Sequence, residues 1–438
     1  MKRNILVLFM ILMISNCAFS QLNRSKKGDD YYQEDYLRNS DFVYKSNIKT
    51  VLFHRLGFEL AKPILQLNNG EQLILSFDDL DAEYRKYEYT IIHCDANWNN
   101  SDLMPNEYLE LYTDDYIKSY QFSMNTMQSY INYELAIPNE VINFTLSGNY
   151  VLKVYTEGNP DDIVLTRRFF VFEPMISIAA NAKVPSDVDD RNSKQEIVFT
   201  IMPLGYVIHD PNRELKVTIQ QNGRWDNAIS DLKPKNIMGN ELRYDYDGVN
   251  VFDGGSDFRY FDMKSLRYNS FRVKSVEYSL ETGYQVRLHA DEVKLKNVAV
   301  NTQESINGRF LIKTEDMQSS ASEGDYATVN FFLAYPNPLI QGKLYVFGEL
   351  TQWQFLQEAE LAYNYELKGF TGQMLLKQGY YNYQYMMLPN NSKIGDVTLI
   401  EGNFFETNNQ YTIYVYHRPM GTRYDKLINI TTFLTHPN

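Results

Sequence analysis

Residues 73–94 read LILSFDDLDAEYRKYEYTIIHC, and this stretch decides the fold class. The run 73–77 is apolar but far too short for an ordinary helix, and the acidic turn Asp78-Asp79-Leu80-Asp81 ends it. In the following run, 86–94, alternation puts Tyr87, Tyr89, Ile91 and His93 on one face and Glu88, Thr90, Ile92 and Cys94 on the other. Apolar groups occur on both faces, so the segment is expected as a central strand of a sandwich rather than a surface ribbon. Runs of the same kind at 63–67, 131–137, 148–156 and 163–173, with turn residues such as Asn68-Asn69-Gly70 between them, keep the spacing of an all-β sandwich.

Two further series follow. The second has runs at 176–180, 195–202, 215–220, 241–246, 258–261, 284–288 and 310–313, with positive-φ turn chemistry at Asp247-Gly248 and Asp253-Gly254-Gly255. Residues 318–324, QSSASEG, read as a linker. The third has runs at 327–335, 343–349, 369–376, 380–387 and 410–417, and no helical period is sustained anywhere. The expected architecture is all-β, a tandem of three immunoglobulin-like or early-set-like β-sandwiches at 47–174, 175–317 and 325–438.

Ahead of them, Lys2 and Arg3, the apolar run 5–14 and Ala18-Phe19-Ser20 read as a signal peptide over 1–20. The polar segment that follows, to residue 46, reads as a disordered leader. Export removes cytoplasmic cofactors from the expected chemistry. Cys17 within the signal leaves a second reading open, a lipidated first residue, although Asn16 fits a lipobox poorly. With cleavage after Ser20, Cys94 is the only thiol and no internal disulfide can form.

The 438 residues carry a formal charge of −13, or −15 once Lys2 and Arg3 leave with the signal, which disfavours nucleic acid and anionic lipid as partners. Past the signal, no apolar stretch reaches the roughly 18–20 residues of a spanning helix. The 35 tyrosines and 25 phenylalanines suit strands, and tyrosine also suits half-wet interfaces.

No constellation with catalytic spacing emerges. His93-Cys94-Asp95 places its nucleophile and base on opposite faces of a strand. The acidic run 79–83 imitates a calcium loop, but Tyr84 stands where glycine is needed and Thr90 where the bidentate glutamate belongs. Asp245, Asp247, Asp253, Asp257 and Asp262 crowd one aromatic segment, open to reading as hairpin turns, an aromatic contact loop, a cation loop or a carboxylate pair of a glycosidase through Asp253 or Asp257. The six histidines are scattered, and neither a metal site nor any cofactor is expected. The segment 346–353, VFGELTQW, with 378–385, QGYYNYQY, looks like early-set modules that include glycogen-binding domains, with Trp353 as a candidate sugar-stacking plane.

Taken together, LSFDDLDAEYRKYEYTIIHCDANW (75–98), YELAIPNE (133–140), SGNYVLKVYTEGNPDDIVLTRRFFVFEP (147–174), TIQQNGRWDNAI (218–229), SDFRYFDMKSLRYNS (256–270) and EGNFFETNNQYTIYVYHRP (401–419) resemble the plug proteins of the type IX secretion system, a family of exported Bacteroidetes proteins. The resemblance implies a non-catalytic periplasmic protein, peripherally associated with the outer membrane. Its implied partner is the translocon β-barrel, whose inner mouth it would close, with no small-molecule substrate. Family motifs assign no contact residues, so the expectation falls on aromatic loop positions: Trp98, Tyr244, Tyr246, Phe252, Phe258 and Tyr260. The alternative is a periplasmic carbohydrate-binding protein using Trp353 and the third sandwich.

Overall fold

The computed structural model describes residues 37–294, 305–315 and 317–435. The expected signal peptide with Cys17, most of the expected leader, and His436 lie outside these residues. The described chain is nearly all β, built from mostly antiparallel strand pairs, as the alternating runs require.

The first sandwich packs one sheet on another. One holds, in spatial order, Phe42–Val43, Asn159–Phe172, Gly148–Thr156, Tyr87–Cys94 and Asp114–Tyr116, and the other Ile48–Arg55, Leu73–Asp79, Ile131–Ile137 and Ser119–Phe122. Tyr87–Cys94 sits inside its sheet, with Ile91 opposite Leu152 and Cys94 opposite Asn149. Leu75, Phe77, Tyr89, Ile91, Leu152 and Phe169 meet between the sheets and are buried, which the period-two alternation predicts for one face of each strand.

The second sandwich pairs the sheet Ser177–Lys183, Lys194–Met202, Glu241–Tyr244, Asn236–Met238 with the sheet Ile229–Leu232, Leu215–Gln221, Gln410–His417, Lys426–Leu434. Strands far apart in sequence thus share one sheet, with Ile219 opposite Ile413. A third, nine-stranded sheet runs from Arg259–Asp262 through Gly379–Pro389, Gly342–Phe347, Glu360–Asn364, Gly369–Lys377, Tyr326–Ala334 and Gly283–Leu288 to Val273–Ser279, with Phe310–Ile312 alongside, around a core that includes Phe261, Val286, Phe331, Val346 and Tyr383.

These pairings cross the boundaries expected from sequence. The strands on either side of 317–325 belong to one sheet, and 410–434 completes the middle sandwich rather than the last. The third unit is therefore inserted into the second. Where the chain leaves and returns, Gly255 N donates to Asn403 Oδ1 (3.0 Å), Phe404 N to Gly255 O (2.9 Å) and Thr407 Oγ1 to Gly255 O (2.8 Å). The two crossings lie side by side. A Cβ on Gly254 would stand 2.1 Å from the Phe404 carbonyl oxygen, so only glycine permits this approach.

Two other expectations are corrected. Residues 37–46, expected in the leader, are ordered: Phe42 and Val43 pair with Thr166 and Leu165, and Thr166 Oγ1 donates to the Ser40 carbonyl. The supposed linker contains a helical turn, Ser320–Glu323, held by the Tyr130 hydroxyl, which donates to the carbonyls of Ala321 (3.1 Å) and Gly324 (2.8 Å). Polarity without period misled in both places, because these backbones are satisfied by residues distant in sequence.

The units pack tightly. The outer face of the first sandwich meets the outer face of the second across Cys94, Trp98, Val151, Phe170, Tyr414 and Tyr416. Gln410–His417 therefore serves two cores, with Tyr411, Ile413 and Val415 facing one and Tyr414 and Tyr416 the other. This interface explains the two-sided apolar pattern that the sequence attributes to sandwich centrality alone. The first and third units are joined by an ion pair between Asp78 and Lys377 (2.6 Å), both at most 1% exposed.

Candidate functional site

Most aromatic positions expected at a partner surface are used inside the protein. Trp98 sits between two sandwiches with its ring against Phe170 (5.3 Å) and Trp225 (5.6 Å), under the Arg168 guanidinium (4.1 Å). Tyr244 is fully buried and stacks on Phe199 at 4.4 Å, and Phe252 packs on Tyr411 at 5.3 Å. Phe258 is buried edge-on to Trp353 (6.1 Å). Tyr246 and Tyr260 are half-buried, the latter stacked on Phe271 (4.8 Å). Trp353, the candidate sugar plane, is also half-buried, lies against Phe347 (5.9 Å) and crowds Gly308, where a Cβ would fall 2.4 Å from its ring. Buried rings offer a partner no free face, so aromatic density alone was the wrong guide: in a tyrosine-rich β protein it marks cores first.

The His93-Cys94 divergence is as alternation requires. His93 lies among Tyr108 and Tyr150, its Nδ1 2.9 Å from Ser101 Oγ, and burial pulls it down to about 4. Cys94 faces the other core, where burial pushes its thiol up to about 12. Such a thiol is neutral and inert. The acidic segment resolves into turn and surface pairs: Asp245 with Lys183 (2.6 Å), Asp247 with Lys235 (3.1 Å), Asp262 with Lys264 (3.0 Å), and Asp253 Oδ1 accepting from Asn403 (2.9 Å). Among the described residues no three His, Cys, Asp or Glu side chains are grouped to hold a metal ion.

An exposed apolar stretch lies elsewhere, along one edge of the first sandwich. Between residues 111 and 127, Leu111 (69% exposed), Tyr112, Tyr116, Tyr120, Phe122 (55%), Met124 and Met127 (61%) all face solvent. Asp114–Tyr116 edges one sheet and Ser119–Phe122 edges the other, and the chain crosses between them at Ile117, which is buried as an anchor. Tyr120 touches Tyr84 (4.8 Å between ring centroids) and Phe122 (5.9 Å), so these three exposed rings form a strip. The Tyr116 ring lies between the ammonium groups of Lys86 (4.8 Å) and Lys118 (5.0 Å). Natural sheet edges are usually guarded by charge, proline or a bulge. Ser119-Tyr120-Gln121-Phe122 has none of these, and all four residues are exposed. The available sequence signal was apolar residues in a stretch without a strong strand pattern, 104–127.

Comparison with known proteins bears on the same domain. Residues 48–173 match the family model described as type 9 secretion system plug protein, first domain. Over these residues the chain carries the first domain of the type IX secretion plug protein family. The match covers the sandwich that carries the apolar strip. The crystal structure of a hypothetical protein from Parabacteroides merdae is similar over 91% of this chain and 100% of its own, at 36% identity and a TM-score of 0.87. A Salmonella alpha-2-macroglobulin mutant aligns over 91% of this chain and 24% of its own at 11% identity, but the TM-score of 0.16 carries no structural argument. No curated protein matches the chain. The family is a secretion-related plug domain rather than a known enzyme family, and among the described residues no helix is long and apolar enough to cross a membrane.

Proposed function

We propose that this protein is a periplasmic stopper that seats against the inner mouth of the type IX outer-membrane barrel and seals it between transport events. The work is occlusion by protein–protein contact, without turnover. A barrel wide enough for folded cargo leaves an aqueous hole that only a rigid body of comparable width can close. Two sandwiches and a nine-stranded unit, locked by apolar and ionic contacts, make such a body. The observation that carries the reading is the unguarded edge strand Ser119–Phe122, flanked by exposed apolar side chains between 111 and 127, within the family-matched sandwich. An exposed strip of this kind favours a protein partner, and specific closure needs an interface of about 1,000 Å² or more with a few aromatic anchors.

The test is co-purification of the barrel with tagged protein from native outer membranes, comparing wild type with the double variant Phe122→Lys, Leu111→Lys. Both side chains are exposed, so stability should change by no more than about 0.5 kcal/mol each, while recovery of the barrel falls and the envelope becomes permeable to large antibiotics. Undiminished recovery of the barrel with the double variant would remove this edge from the contact, and failure of wild type to bring down any barrel would remove the function.

A further inference from the structure

Where the three units meet, a cavity of about 110 Å³ is lined by four cationic side chains, Lys62, Arg167, Arg168 and Arg309. Three come from the first sandwich and Arg309 from the third unit, while Trp225 and Tyr414 of the second and Trp353 of the third contribute walls. The hydrogen bonds of the four cations are informative because every acceptor is neutral. Lys62 Nζ donates to Gln220 Oε1 (2.9 Å) and Thr412 Oγ1 (2.7 Å). Arg167 Nη1 donates to the carbonyls of Thr166 (2.9 Å) and Phe42 (3.4 Å) and to Gln352 Oε1 (3.2 Å). Arg168 Nε donates to the Asn39 carbonyl (2.6 Å), and Arg309 to the Leu60 carbonyl and Gln410 Oε1 (2.6 Å).

Among the described residues none of the four forms an ion pair, although the protein elsewhere pairs its lysines and arginines freely and carries a net charge of −13. Arg167 is 5% exposed and its Nη2 has no partner. Buried cations without counter-charge are costly. Burial, with Arg309 close by, draws the Lys62 ammonium down to about 7, and burial draws Arg167 and Arg168 to about 10. Two carboxylates, Asp41 and Glu349, also line the cavity, but Asp41 Oδ1 is taken by the Arg168 backbone N–H (2.6 Å) and Glu349 Oε2 by that of Phe310 (3.3 Å). Four cations against two acids leave a formal excess of two positive charges, which a dianion balances.

We propose that this junction binds a phosphate-type oxyanion, received by the unpartnered Arg167 Nη2 and by Lys62 between the rings of Trp225 and Trp353. Guanidinium forks suit tetrahedral oxyanions, which accept from two N–H groups at once. The phosphate can be free or carried on a sugar that projects from the open side of the cavity, past the aromatic walls. Because the lining comes from all three units, occupancy ties them together and stabilises the folded protein by mass action. The proposal does not depend on the sealing role.

The test is calorimetric titration and thermal melting of the whole mature chain with inorganic phosphate, sulfate and glucose 6-phosphate at constant ionic strength, with acetate as the monoanion control. Phosphate and sulfate should raise the melting temperature, acetate less so, and Arg167→Gln should weaken phosphate binding at least about tenfold. Lys62→Met should raise the melting temperature of the phosphate-free protein, since it removes an uncompensated cation, and should blunt the response to phosphate. This variant keeps the test decisive if Arg167→Gln does not fold. Tighter binding of glucose 6-phosphate than of phosphate would identify the carried group, and equal or weaker binding the free ion. The proposal is overturned if phosphate to about 20 mM leaves the melting temperature unmoved, or if the response survives unchanged in both variants.

Discussion

Replacing Asp78 by Asn should cost this protein a large part of its stability. The Asp78 carboxylate accepts from Lys377 Nζ (2.6 Å), the Tyr326 hydroxyl (2.7 Å) and Asn132 Nδ2 (2.7 Å), and the pair joins the first and third units out of contact with water. Asn keeps the shape and removes the charge. It leaves the Lys377 ammonium buried, with the Ala321 carbonyl (2.7 Å) and the face of Tyr130 (4.1 Å) as its remaining company. Breaking a buried pair by removing one partner costs about 3–5 kcal/mol, mostly the penalty of the stranded charge. Total stabilities are only about 5–15 kcal/mol. At urea slopes of about 1–3 kcal/mol/M the midpoint should fall by about 1–5 M. The double variant Asp78→Asn, Lys377→Met removes the stranded ammonium and should recover more than half of the loss. Urea unfolding followed by tyrosine fluorescence measures both. A loss below about 1 kcal/mol for the single variant, or a double variant no better than the single, would refute the claim that a desolvated charge holds this interface.

Two further predictions concern His93. Its folded value of about 4 lies below the ordinary 6.5 because burial disfavours the imidazolium, so between those values the unfolded chain binds the extra proton. Stability should therefore fall as pH drops from 6.5 towards 4, by up to about 3 kcal/mol from this residue. Guanidinium midpoints across that range should show the slope, and a His93→Gln variant that keeps it would assign the effect elsewhere. The same ring explains Gly148, whose φ is +152° and where a Cβ would stand 2.4 Å from His93 Nε2. Gly148→Ala should cost at least about 2 kcal/mol, and less in a His93→Ala background, with additive costs in a double-mutant cycle excluding the clash as the cause.

Individual strands were legible in the sequence where period-two alternation was strong. Ile131–Ile137, Gly148–Thr156 and Gln410–His417 have the predicted limits. Their partners were not legible, because nothing local in YTIYVYH says that it pairs with a strand near residue 215 rather than with the preceding hairpin. Its alternate tyrosines also enter two different cores, a distinction that burial makes and sequence does not. The exposed apolar edge was not legible because aromatic residues were weighed by density, and Tyr244 and Phe252 are core packing. The cationic junction assembles Lys62, Arg167, Arg168 and Arg309 from nearly 250 residues of chain. Its one visible trace was the pair of arginines inside the apolar run IVLTRRFFVF.

The paired crossings at Gly254-Gly255 and 403–407 have a mechanical consequence. Domains strung on single linkers can pivot freely, whereas an inserted unit is tethered by two adjacent strands of chain, so bending would have to shear the hydrogen bonds between them. Pressure applied to one face, as by material pushing through an opening, is then transmitted across the whole body instead of being dissipated at a hinge. Nicking either crossing would leave the other to carry the load.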